Sequence, residues 1–198
     1  MPHSFLARSV SIASRTLALT CLAAWSLTST STAQEPPPVQ KPLPEHKVLA
    51  EDEGTWDATI KTYAGGPDAE PAVSKGSEVN EVLPGGLWVL SKFEGDFGGM
   101  KFLGRGQFGY DPAKKKYVGT WIDSMSTNLS VLEGEYDAKT KTMTFVGEGY
   151  DPGQNAKFTQ KMVTTTKDDG SRAFTLYMKF EGQPAEVKFM EITYTKRK

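Results

Sequence analysis

The stretch that decides the fold is residues 104–125, which read GRGQFGYDPAKKKYVGTWIDSM. Large side chains alternate with glycines on both sides of a central D-P-A-K-K-K, and this centre has the composition of a tight turn. An aspartate that opens such a turn bonds its own backbone, proline fixes the next φ, and lysines keep the tip in water. The stretch therefore predicts a β-hairpin with a solvated tip rather than a binding site built on a lysine run.

The register of this hairpin follows from what it places side by side. With Tyr110 opposite Tyr117, each large ring farther along one face lies opposite a glycine, so a large side chain meets a bare backbone. A slip by one residue would exchange the buried and exposed faces, so burial should fix the register. The pairs predicted on the buried face are Tyr110 with Tyr117, Phe108 with Gly119, Gly106 with Trp121, Gly104 with Asp123 and Phe102 with Met125.

The same two-residue alternation continues through the chain from Gly54 onward, broken by Gly, Asp and Pro every eight to twelve residues. This spacing is typical of antiparallel strands joined by hairpins. We expect an all-β antiparallel meander of about ten strands, closed into a barrel because closure hides the strand edges. The strands are predicted to begin near Thr55, Glu78, Leu87, Phe102, Tyr117, Leu129, Lys141, Phe158, Arg172 and Glu186.

The last predicted hairpin turns a carboxylate into the barrel. Pairing Phe180 with Val187 repeats the seven-residue spacing of the first hairpin, and it places Leu176 opposite Glu191. Both Glu191 and Asp123 are then predicted to point inward among apolar side chains. In a dry cavity such a carboxylate would have a raised pKa and could act as an acid or a base.

The first 44 residues of the chain are predicted to lie outside the fold. Residues 1–33 combine two arginines, an apolar stretch and small residues before position 34, which is typical of a secretory signal peptide cleaved after Ala33. Residues 34–44 contain five prolines and should form an extended tether. A short helix over residues 45–52 then begins a single barrel domain, 45–198.

The composition of the mature protein indicates in which compartment it is found and which classes of partner it can bind. Cleavage after Ala33 leaves 165 of the 198 residues, with 24 acidic and 21 basic side chains, so the net charge is near −3. Nucleic acid is not expected as a partner at this balance. The mature chain has no cysteine and no apolar run long enough to span a membrane. We expect a periplasmic or extracellular protein.

Several ordered motifs resemble one bacterial family. The stretch 54–56, GTW, directly after a short helix resembles the start of lipocalins and other calycin barrels, although residues 51–53 are acidic where the lipocalin pattern is apolar. With 85–88 (GGLW), 98–100 (GGM), 104–111 (GRGQFGYD) and 116–125 (KYVGTWIDSM), the chain is similar to domain-of-unknown-function family 1579. The resemblance implies a calycin-like barrel and carries no catalytic residues.

Cofactors and metals are not expected. The mature chain has one histidine, His46, on the predicted helix and far from the inward strand faces, so heme would lack an imidazole ligand. No group of His, Cys or carboxylate residues has zinc spacing, and no loop has calcium spacing. A nucleophile elbow and a histidine placed to activate a serine are also missing from the sequence.

Three functions follow from a barrel of this kind, and the sequence favours the first over an enzyme. The first is binding of a small, largely apolar molecule in the barrel, with Asp123 orienting a polar group. The second is isomerase- or hydrolase-type catalysis by Asp123 or Glu191. The third is surface interaction by a packed, empty barrel. The predicted ligand-binding residues are Phe102, Phe108, Trp121, Asp123, Met125, Phe145, Met162, Phe174, Met178 and Glu191.

Overall fold

The computed structural model of the protein describes residues 39–63 and 70–198. One short helix, α1 (Pro44–Ala50), precedes ten strands. The predicted signal peptide, 1–33, and residues 34–38 of the predicted tether lie outside the described residues. The strands are β1 (Gly54–Thr62), β2 (Ala72–Val82), β3 (Trp88–Phe97), β4 (Met100–Asp111), β5 (Lys116–Asp123), β6 (Ser130–Asp137), β7 (Thr142–Asp151), β8 (Ala156–Thr166), β9 (Arg172–Phe180) and β10 (Val187–Lys196).

The ten strands form one closed antiparallel barrel. Each strand pairs with the next along the chain, and β1 pairs with β10 to complete the ring. Closure removes the exposed edges through which an open sheet can pair with other chains. The predicted all-β meander, closed into a calycin-like barrel after a short helix, is confirmed.

The β4–β5 hairpin has the predicted register, with Tyr110 opposite Tyr117. Large rings lie against bare backbone as expected. The indole of Trp121 covers Gly104 so closely that a methyl group on this glycine would come within 2.1 Å of the ring. The alternation of rings and glycines therefore fixes which face of the hairpin is buried.

One pair predicted for this hairpin is wrong. Phe102 does not pair with Met125, because the ladder ends where Gly104 meets Asp123. Met125 lies in the turn after β5, and its backbone N–H donates a hydrogen bond of 2.9 Å to the Asp123 carboxylate. Asp123 therefore ends the strand by binding local backbone.

The hairpin tip is the solvated turn that the sequence predicts. The Asp111 carboxylate accepts hydrogen bonds from the backbone N–H groups of Ala113 (2.9 Å) and Lys114 (3.2 Å). Lys115 takes a φ of 54°, in the left-handed region. Lys114 also forms an exposed ion pair of 2.6 Å with Glu133, a type of contact that adds little stability. The same turn recurs twice, opened by Asp137 and Asp151, with left-handed Lys141 and Asn155.

The register predicted for the β9–β10 hairpin is wrong. Val187 pairs with Met178 rather than with Phe180, and an irregularity at residues 188–190 shifts the pairing again. The buried positions of β10 are consequently the even-numbered ones, Ile192 and Tyr194 among them. Glu191 therefore lies on the outer face of the strand, contrary to the prediction.

The helix α1 packs over one end of the barrel, beside β3 and β4. Pro44 occupies its first turn, where a missing backbone N–H costs nothing. Its buried residues are His46 and Leu49. The His46 ring lies edge-on to Tyr110, with 5.9 Å between centroids, and Leu49 joins a buried cluster with Val89 and strands β5 to β7. This helix shields part of the barrel interior from solvent.

Replacing Gly104 by alanine should lower the free energy of unfolding by about 1 to 3 kcal/mol, because the new methyl group displaces the Trp121 ring from a packed position. Urea denaturation measures the change. Gly153→Ala is the matched control, since Gly153 lies in an exposed turn and its new methyl group would meet only one carboxylate oxygen of Asp151, at 3.1 Å. Equal effects of the two substitutions would contradict the packing argument.

Candidate functional site

The interior of the barrel is hollow. A cavity of about 1030 Å³ reaches both ends of the barrel, and aromatic and aliphatic side chains form most of its wall. Seven of the residues predicted to bind ligand line it: Phe102, Phe108, Trp121, Met125, Phe145, Met162 and Phe174. The alternation of the strands therefore identified these seven wall residues from the sequence.

The other three predicted residues do not line the cavity. Asp123 binds the backbone of Met125 at the end of β5. Met178 lies on β9 one inward position beyond Leu176, which is the last wall residue on that strand. Glu191, on the outer face, accepts hydrogen bonds from the Tyr63 hydroxyl and from Lys188 Nζ, the latter at 3.0 Å. The bond from Tyr63, with that from Lys188, holds the pKa of the Glu191 carboxyl below its ordinary value.

The two ends of the cavity differ in chemistry. At the end opposite α1, which we call the apolar end, four wall residues are exposed: Val73 (62%), Met100 (57%), Met125 (49%) and Phe189 (37%). At the end beside α1, which we call the polar end, the wall is charged. It carries Glu51, Asp52, Lys141, Arg172 and Lys196. Entry at the apolar end would cost an apolar molecule less free energy, because no cluster of charged side chains has to lose its water there.

Arg172, at the start of β9, organises the polar end. Its guanidinium is only 4% exposed and binds two carboxylates, Asp52 at 3.1 Å and Glu78 at 2.7 Å. Asn80 donates to Glu78 (2.8 Å) and to the backbone carbonyl of Asp52 (3.2 Å). One residue of the acidic stretch 51–53 is thus explained, because Asp52 provides a partner for a buried cation that would otherwise be very costly.

The same guanidinium stacks on aromatic rings. Its central carbon lies 3.9 Å from the ring centroid of Trp56 and 4.7 Å from that of Tyr194. The indole N–H of Trp56 donates to the carbonyl of Asp52 over 2.9 Å. The helix end, β1, β2, β9 and β10 are thereby joined around one charged group.

Burial changes the titration of this cluster. Loss of water around the Asp52 carboxyl raises its pKa, and the positive charge of Arg172 only partly opposes the effect. Burial also raises the pKa of the Tyr194 phenol well above its ordinary value, and the negative charge of Glu78 adds to this. Tyr194 is therefore a neutral hydroxyl at physiological pH.

Gln160, on β8, is a polar wall residue in apolar surroundings. It is 7% exposed, and its Nε2 has no hydrogen-bond partner within residues 39–63 and 70–198. The amide lies over the bare backbone of Gly147, where a methyl group would come within 3.4 Å of Nε2 and 2.7 Å of Leu132. A buried amide without a partner is uncommon in folded proteins, so this group is a candidate for contact with a ligand.

Sequence reasoning missed both Gln160 and Arg172. The sequence pattern could have indicated both. Gln160 is two residues from the inward Met162 on β8, and Arg172 is two residues from the inward Phe174 on β9, so each is also inward. A polar or charged side chain on an otherwise apolar face needs a partner. The partners of Arg172 come from α1's end and β2, about a hundred residues away, and no local pattern names them.

A family model described as Protein of unknown function (DUF1579) matches residues 41–196. This match spans α1 and all ten strands. The chain belongs to this family. The resemblance inferred from the ordered glycine and tryptophan motifs is thus confirmed. No curated protein matches the chain.

Among solved structures, this DUF1579 protein is similar to the S-type phycobiliprotein lyase CPES from Guillardia theta. The TM-score is 0.51, with 9% sequence identity over 78% of this chain and 93% of the lyase chain. At that identity the likeness concerns the calycin-like fold alone. In the part of the chain that the structure describes, no helix is long and apolar enough to cross a membrane.

Asp52→Asn tests the cluster through its pH dependence. The folded protein holds the Asp52 proton more tightly than the unfolded chain does, so wild type should lose stability relative to D52N as the pH rises above 3.8. Urea denaturation from about pH 3 to about pH 7 measures this difference. The substitution also changes the bond to Arg172. Because the guanidinium stays charged over this pH range, that change shifts the free energy of unfolding equally at every pH and does not alter its slope.

Asp57→Asn is the matched control for this experiment. A hydrogen bond from Arg197 lowers the pKa of the Asp57 carboxyl in the folded state. Wild type should therefore lose stability relative to D57N as the pH falls through 3.8, which is the opposite slope. Slopes of the same sign for both variants would contradict the assignment of Asp52.

Proposed function

We propose that this DUF1579 protein is exported and binds a small, largely apolar molecule in the cavity of its barrel. The observation that carries the proposal is the hollow interior of about 1030 Å³. Small-molecule pockets typically measure about 300 to 1,000 Å³ and are lined mainly by apolar and aromatic side chains with a few polar groups. The third function inferred from the sequence required a packed interior, and this cavity argues against it.

The position of the carboxylates favours binding over catalysis. Acid or base chemistry was inferred for Asp123 and Glu191, and both lie off the cavity wall. The carboxylates that do line the interior near Arg172 are Asp52 and Glu78, and both are engaged in ion pairs. The two other wall carboxylates among the described residues are Glu51, at the polar end, and Asp96, which accepts a hydrogen bond of 2.8 Å from the backbone N–H of Gly99. These positions suit holding an apolar molecule rather than transferring its protons.

Entry through the apolar end fits this function. Exposed Met100 and Met125 stand at that end, and methionine adapts its shape to varied partners. An apolar molecule would there exchange water for apolar contacts before reaching the aromatic wall formed by Phe102 and Trp121.

Met162→Trp should fill the cavity and weaken binding of the neutral probe N-phenyl-1-naphthylamine by about tenfold or more, because the indole occupies space on the wall that the probe needs. Enhancement of probe fluorescence measures binding to the purified protein. The matched control is Val163→Trp, one residue along β8 and on the outer face, which should bind as wild type does.

Two results would contradict binding in the cavity. One is the absence of any saturable probe binding to wild type. The other is an equal loss of affinity in M162W and V163W, which would locate the probe elsewhere or indicate general damage to the fold.

Export is tested by the mass of the protein recovered from its own host. Residues 1–33 have the pattern of a signal peptide, so the intact mass should correspond to a chain beginning at Gln34. Native mass spectrometry of the same sample should also detect a bound small molecule. A mass that retains residues 1–33 in the mature protein would contradict cleavage after Ala33.

A further inference from the structure

Gln160 marks the limit of the cavity on its strand. Its inward neighbours on one side, Met162 and Thr164, line the wall, whereas Phe158 on the other side does not. Across the ladder, Gln160 pairs with Gly147 and with Met178, and neither of these lines the cavity. A molecule that fills the cavity along β8 would therefore end at the Gln160 amide.

The amide offers a donor that the described residues leave unused. Gln160 is 7% exposed and its Nε2 has no partner there. An amide removed from water without a hydrogen bond destabilises the folded protein, whereas a ligand oxygen would remove this penalty on binding. The group that best satisfies Nε2 is thus a hydrogen-bond acceptor on the ligand.

Charge on the wall argues that this acceptor is neutral. The basic wall residues are Lys141, Arg172 and Lys196, all at the polar end. Arg172 pairs with Thr166, which lies six residues along β8 from Gln160, a distance of about 20 Å at 3.3 Å per residue. A carboxylate placed against Gln160 would lose its water without gaining a nearby positive charge.

The polar end does not favour an anion either. Two carboxylates already bind the Arg172 guanidinium, and Lys141 pairs with Asp168 at 3.0 Å. Acidic wall residues also outnumber basic ones over the whole cavity: Glu51, Asp52 and Glu78 at the polar end and Asp96 at the apolar end, against Lys141, Arg172 and Lys196. The electrostatic surroundings of the whole cavity are therefore unsuited to fatty-acid-like ligands.

We propose that Gln160 anchors the ligand by donating a hydrogen bond to an uncharged carbonyl-type oxygen, and that the ligand class is neutral, largely apolar molecules bearing such an oxygen. This rests on the proposed function, because it needs the cavity to be the binding site. Gln160 takes the orienting role that the sequence assigned to Asp123.

Three matched probes test the proposal, each with the same naphthalene ring. They are 2-acetylnaphthalene, which has a neutral carbonyl, 2-ethylnaphthalene, which has none, and 2-naphthoate, which is an anion. Their affinities are measured by displacement of N-phenyl-1-naphthylamine from the purified protein. Wild type should bind the ketone about tenfold or more tightly than the carboxylate.

Gln160→Leu should weaken binding of 2-acetylnaphthalene by about tenfold and leave 2-ethylnaphthalene within about twofold of wild type. Retained binding of the hydrocarbon shows that the variant is folded with its cavity intact. Gln160→Met is a second variant that removes the donor and keeps the length of the side chain. Thr159→Val is the matched control, because it removes an exposed polar group next to Gln160 on β8 that does not line the cavity, and it should leave the ketone unaffected.

The outcomes separate this proposal from the proposed function. If none of the probes binds wild type, the proposed function fails and this inference fails with it. If the probes bind but Q160L weakens the ketone and the hydrocarbon equally, or weakens neither, binding in the cavity stands and the anchor is wrong. Binding of 2-naphthoate as tight as that of the ketone would overturn the neutral ligand class.

Discussion

The structure depends on the packing of large rings over bare backbone on the inner face of the sheet. Trp121 over Gly104 and Phe145 over Gly134 are the clearest cases, since any side chain on either glycine would overlap a ring. This packing fixes the strand register, and the register fixes which side chains face inward. It also lays the rings along the wall instead of across the axis, so the barrel can be both well packed at its strands and hollow at its centre.

The two ends of the barrel differ in the chemistry of their side chains. At the polar end, the buried Arg172 guanidinium links the end of α1 with β1, β2, β9 and β10. Two carboxylates pair with its positive charge. This arrangement stabilises closure and leaves little capacity to bind an anion. At the apolar end, exposed methionines and a phenylalanine surround the cavity. Between the two ends lies the Gln160 amide, whose Nε2 has no hydrogen-bond partner within the described residues.

The sequence predicted the architecture well because strand alternation and turn chemistry are local. The Y-D turns and the alternation of rings with glycines identified all ten strands, the β4–β5 register and seven wall residues. The prediction from sequence failed where the structure depends on strand irregularities, strand ends and distant contacts, because none of these leaves a local sequence pattern. The irregularity at residues 188–190 reversed the facing of Glu191, and the end of β5 at Asp123 turned an expected interior acid into a backbone cap. The partners of Arg172 are distant in sequence, so its cluster could not be assembled from spacing alone.

Closure of the ring joins the first strand to the last. Arg197 bonds Asp57 across 140 residues of chain, and Arg172 bonds Glu78 across 94. Such distant contacts carry a large loop-closure entropy and make folding slow. During synthesis the nascent chain consequently cannot complete its barrel until β10 has left the ribosome, so β1 stays without one of its two partner strands until translation is nearly finished.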